Sequence, residues 1–129
     1  PRFTCDGADV SPALAIADLP PGTACLALIV DDPDAPGSTW DHWVAYDIPV
    51  TTAIPEGVKV LGTSGRNSWR KPGYGGPCPP FGEHRYFFRI YALDRPLGLA
   101  PGASKKQVLE AMKGRILAEA TLLGRYTCR

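Results

Sequence analysis

The chain has 129 residues, 44% of them hydrophobic and 21% charged, and a net charge of +1. That length suits one domain, residues 1–129, with a core of its own, and no apolar run approaches the roughly 20 residues of a membrane-spanning helix. Charge is segregated, with nine acids against Arg2 in residues 1–56 and thirteen bases against four acids beyond, but the halves of one domain interleave and the asymmetry is expected to vanish in space.

The first clear element is "CLALIVDD" at 25–32, a continuous apolar run bounded by "PPG" and "DPDAPG", which predicts a core strand. "HWVAYDIP" at 42–49 alternates loosely and ends at Pro49, predicting a second strand. "VKVLGT" at 58–63 is a weaker strand candidate. "RYFFRIYAL" at 85–93, aromatic and β-branched, predicts a third long strand. Between them run Pro- and Gly-rich connections at 31–41 and 64–84, long enough to suggest function. Ser104 and Gln107 form a capping box, with Ala103 and Val108 as a staple. Val108, Leu109, Met112, Ile116, Leu117, Ala120 and Leu123 follow at three- and four-residue steps. That spacing predicts one C-terminal helix, closed by Gly124 at the left-handed C′ position. Strands first and a packed helix last predict a mostly β domain.

Several chemistries find no support. Cys5, Cys25, Cys78 and Cys128 are too far apart for a CxxC zinc or redox motif. Cys25, inside an apolar run, reads as a buried thiol, and the three full pairings of four cysteines stay open at this level. Counted from Asp32, the fifth position of a calcium loop would be Pro36 and the twelfth Trp43, where a liganding Glu belongs. No phosphate loop and no strand-to-helix GxGxxG occurs, and "GTSG" is not a nucleophile elbow. Nucleic acid is not an expected partner, since the basic second half is expected to be balanced in space by the acidic first.

What remains is a set of residues at strand ends. Asp32 and Asp34 close one strand, His42 opens the next, and His84 and Tyr86 enter the third. In a β fold strand ends gather at one rim, so residues distant in sequence can converge there. Two histidines and a carboxylate could hold a metal or an oxyanion, with the acid orienting an imidazole and favouring its charged form. The stretch "GYGGPCPPFG" before His84 has few side chains and stiff prolines. Its backbone N–H groups can approach an anion closely.

These residues resemble a known family. "DPDAP" at 32–36, "TWDHW" at 39–43 and "GYGGPCPPFGEHRYFF" at 73–88 are similar to motifs of the phosphatidylethanolamine-binding proteins. "FTCDGADVSPAL" at 3–14 and "AMKGRILAEATLLGRY" at 111–126 resemble its prokaryotic branch. The resemblance implies an antiparallel β-sandwich with a packed C-terminal helix and a small anion pocket at one rim. Carried over position by position, that pocket would use Asp32, Asp34, Trp40, His42, Gly76, Pro79, Pro80, His84 and Tyr86. It also implies a Cys5–Cys78 disulfide. Arg115 stands where many prokaryotic relatives have His, which leaves that position without an inferred role.

The function implied is a non-enzymatic binding or regulatory protein for phosphate-type anions or phospholipid head groups. The alternative is a protein–protein inhibitor of serine proteases or kinases. No catalytic residue, metal or cofactor is expected, and a homodimer stays open. The cytoplasm is the expected compartment. Bridged cysteines with a leader removed would point instead to the periplasm or to secretion.

Overall fold

The computed structural model describes residues 14–17, 19–32, 40–54, 62–68 and 83–127. Its elements, in chain order, are β1 (Leu14–Ala15), β2 (Cys25–Asp32), β3 (Trp40–Pro49), β4 (Ala53–Ile54), β5 (Thr63–Ser64), β6 (Glu83–Leu93), α1 (Lys105–Met112) and β7 (Ile116–Thr127). Five of the strands form one antiparallel sheet in the order β5-β3-β2-β6-β7, and β1 pairs with β4 apart from it. The fold is mostly β, as the predicted strands imply.

β2 occupies the middle of the large sheet and is buried at all eight positions. A strand covered on both faces has no polar side to alternate with, which is why "CLALIV" is unbroken. Its odd positions, Cys25, Ala27 and Ile29, pack with Val44, Tyr46, Tyr91 and Leu93 and with Val108 and Met112 of α1. Its even positions, Leu26, Leu28 and Val30, pack with Trp43, Ala45 and Ile48 and with Ile54 of the small sheet. The helix thus covers one face and the small sheet the other, a layered arrangement around a central sheet.

The helix starts as its capping box predicts. Gln107 N–H donates to Ser104 Oγ at 3.2 Å, and Ser104 N–H donates to Gln107 Oε1 at 2.9 Å. It ends far earlier than the apolar spacing predicts, at Met112, and the chain from Ile116 onward is strand rather than helix. Gly114 turns the chain at φ +77, a conformation that costs a glycine little. β7 then pairs along the whole of β6, from Leu93↔Ile116 to Glu83↔Thr127. A helix there would have left the backbone of an aromatic, eleven-residue strand without its partner. Ile116, Leu117 and Leu122 are consequently exposed on β7 rather than packed as a helix stripe. The weak strand expected at 58–63 falls mostly outside the described residues, with Thr63 opening β5.

β3 is interrupted by two register shifts against β2. At the first, Asp47 is accommodated at φ 51, and its carboxylate accepts the N–H groups of Leu97 at 2.6 Å and Gly98 at 3.0 Å. Tyr46 beside it donates its hydroxyl proton to the Ala100 carbonyl. These contacts hold the segment leading to α1 against β3. The second shift is at the other end of β3, where the candidate site lies.

Candidate functional site

β2 runs antiparallel to both β3 and β6. Its C-terminal end therefore lies between the N-terminal ends of its two neighbours, so three strand ends meet. Asp32 is the direct partner of Trp40, and Asp31 is the direct partner of both Asp41 and Phe87. Continuing the ladder, position 86 comes level with Asp32, and position 84 lies one further step along the same face. The register shift leaves His42 as an extra residue, since Val30 opposes Trp43 while Asp31 already opposes Asp41. Such bulges re-aim a side chain and are frequent beside functional sites.

Alternation sorts these positions onto faces. Asp31, Asp41 and Arg89 belong to the face that carries α1, while positions 32, 40, 42, 84 and 86 belong to the opposite one. Asp32 and His42 are each 3% exposed, and both are engaged by other groups. A buried aspartate and a buried histidine at the end of a sheet are unusual, because water is the cheaper partner for both.

The strand register thus brings Asp32 and His42 to one rim together with the positions of Trp40, His84 and Tyr86. Asp34, Gly76, Pro79 and Pro80 lie outside the described residues, as do Cys5 and Cys78 of the implied disulfide. Cys25 is a buried free thiol, and burial first, with the charge of Asp47 second, pushes its pKa up. Among the described residues no group of three or more His, Cys, Asp or Glu side chains is placed to hold a metal. No helix among them is long and apolar enough to cross a membrane.

The α1 face of the same strand ends carries an ionic cluster that sequence reasoning passed over. Arg89 Nη1 donates to Asp31 Oδ2 at 2.6 Å, and Lys105 Nζ donates to the same oxygen at 3.0 Å and to Asp41 Oδ1 at 3.1 Å. The Arg89 guanidinium also lies 5.0 Å from the centre of the Phe87 ring. Asp31 is 1% exposed, and its Oδ1 has no hydrogen-bond partner among the described residues. Burial alone would lower the Lys105 pKa, but the hydrogen bond and charge of Asp31, joined by Asp41, raise it above the ordinary value. Asp41 is held through its backbone as well: its N–H donates to Ser68 Oγ at 2.7 Å, and its carbonyl accepts Ser68 N–H at 2.8 Å. The available signals were the acidic doublet "DD" at a strand end and the lone arginine inside "YFFRIYAL".

Comparison with known proteins agrees with this architecture. The family profile described as phosphatidylethanolamine-binding protein matches residues 1–127. A UPF0098 protein of Methanothermobacter thermautotrophicus is 52% identical over 132 residues, covering 97% of this chain and 87% of the relative. The crystal structure of a putative phosphatidylethanolamine-binding protein homologue from Chlamydia trachomatis is similar with a TM-score of 0.95 at 40% identity. The match covers 99% of this chain and 88% of that one. Escherichia coli YbcL, titled a new member of the mammalian family, is similar with a TM-score of 0.87 at 34% identity, over 98% of this chain and 85% of that one.

Proposed function

The chain belongs to the phosphatidylethanolamine-binding protein family, and on that premise we propose that it is a non-enzymatic binding protein for a small phosphate-bearing anion. The observation that carries the reading is the strand register. It supports a shared site because Asp32, Trp40 and His42 stand at adjoining ends of β2 and β3, with positions 84 and 86 entering from β6 on the same face.

In this reading an imidazolium donates charge-assisted hydrogen bonds to the phosphate oxygens. Asp32 orients a histidine ring and favours its charged form. Gly76, Pro79 and Pro80 would form the wall of the site, with His84 at the point where that wall becomes strand. Nothing in this arrangement requires a nucleophile, since the bond made to the guest is a hydrogen bond.

Calorimetric titration of phosphoethanolamine and of inorganic phosphate into the wild type and into His84→Ala, at about pH 6 and pH 8, tests it. The wild type is expected to bind more tightly at the lower pH, where the imidazole donor is charged. His84→Ala is expected to lose about 1.5–3 kcal/mol, the usual range for a hydrogen bond to a charged group. Equal affinities in all these titrations would overturn the reading.

A further inference from the structure

Asp31 and Asp41 are direct cross-strand partners on β2 and β3. Two carboxylates so placed repel each other and would spread the strand ends. The ammonium of Lys105 bridges them, at 3.0 and 3.1 Å. Lys105 is the first residue of α1, set by the Ser104 capping box and anchored by Val108 and Met112 in the core. The charge that joins β2 to β3 is thus delivered by a rigid element on the far side of the sheet.

The residues following these two acids are Asp32 and His42. The register shift that makes His42 the extra residue falls between Val30 and Asp31, so the Asp31–Asp41 pair closes the bulge. We propose that Lys105 is a positioning residue for the anion site, a clasp that fixes the spacing of β2 and β3 at the bulge and so sets where Asp32 and His42 stand. The proposal rests on the anion-binding reading for its functional consequence, but the clasp is a separate physical claim. A site for a small ion needs its ligands held to within roughly half an ångström, and two mutually repelling strand ends do not supply that unaided.

Charge makes a second contribution that must be separated from geometry. Asp31 and Asp41 carry two negative charges and Arg89 and Lys105 two positive ones, so the cluster is neutral behind the site. Lys105→Met leaves one uncompensated negative charge there, which by itself disfavours an anion. The double variant Asp41→Asn/Lys105→Met restores neutrality and keeps the Arg89–Asp31 pair, and it removes the bridge together with the Asp31–Asp41 repulsion that the bridge opposes.

The experiment titrates phosphoethanolamine into the wild type, Lys105→Met and the double variant, and measures amide hydrogen exchange in all three. Lys105→Met is expected to bind about tenfold more weakly, and the double variant, free of the repulsion but still unbridged, about threefold. Their amides at 31, 32 and 40–42 are expected to exchange faster, while those at 26–28 and 44–46 are unchanged. If the double variant binds like the wild type, Lys105 only balances charge and the proposal falls. Unchanged exchange at the strand ends overturns it equally, and that readout needs no ligand. A wild type that binds no phosphate compound sinks the anion reading alone, and the clasp is then judged by exchange. Should Lys105→Met not fold, the neutral double variant carries the test.

Discussion

Asp31 and Asp32 are consecutive, chemically identical and almost equally buried, at 1% and 3% exposure. They nevertheless belong to opposite faces of β2. Asp31 meets Arg89 and Lys105 on the helix side, where its Oδ2 is shared by two cations. Asp32 lies on the side of Trp40 and His42. A carboxylate's role at a strand end is set by its face, because alternation gives neighbours in sequence entirely different neighbours in space.

Removing Asp31 should have the largest effect on stability. Asp31→Ala strands Arg89 and leaves Lys105 with Asp41 alone, and losing one partner of a buried ion pair costs about 3–5 kcal/mol. Since Arg89 and Lys105 keep partial access to water, about 3 kcal/mol is the expected loss in urea unfolding. Asp32→Ala should instead be read mainly in phosphate affinity. A large affinity loss with unchanged stability in Asp31→Ala would mean that the two faces have been assigned the wrong way round.

Alkaline pH should separate the two faces by a smaller effect. Lys105 has its folded pKa raised above 10.5 by Asp31 and Asp41 against the opposing pull of burial. Its contribution is complete below 10.5 and is lost as pH rises through the folded value. Burial likewise raises Tyr46 and Tyr91 above 10.0 and Cys25 above 9.0, so folded protein holds these protons longer than unfolded chain. Stability is therefore expected to decline from about pH 9 upward, as thermal melts across that range would show. In Asp41→Asn/Lys105→Met the decline above pH 10.5 should be shallower, and an identical decline would contradict the clasp as its source.

The smallest expected effect belongs to an ion pair with none of this burial. Lys113 and Glu110 approach at 3.2 Å on the exposed surface of α1. Lys113→Ala should shift stability by less than about 0.5 kcal/mol and leave phosphate affinity alone. A loss comparable to that of Asp31→Ala would show that burial is not what distinguishes the cluster.

Much of the sheet was legible because its strands are apolar runs punctuated by Pro and Gly. β2 was read at its observed bounds, β3 and β6 within two residues, and the start of α1 from Ser104 and Gln107 alone. Asp32 and His42 were legible as site candidates because both flank proline-rich turns and carry titratable groups. Asp31, Asp41, Arg89 and Lys105 were not, because a structural ion cluster has no spacing in sequence: its members lie up to 74 residues apart.

Local pattern alone was enough to mark β2, β3 and β6 as strands, the start of the helix and the family that the chain resembles, since those depend on apolar runs, a capping box and motifs. The end of the helix was decided elsewhere. Ile116, Leu117, Ala120 and Leu123 satisfy helical spacing, and it is the open edge of β6, with Gly114 to turn the chain, that draws them into β7. The faces of Asp31 and Asp32 were decided in the same way, by pairing with strands that begin eight or nine and more than fifty residues on. Backbone hydrogen bonds between distant strands are satisfied only in the assembled sheet, and a one-residue shift in that assembly exchanges the two faces.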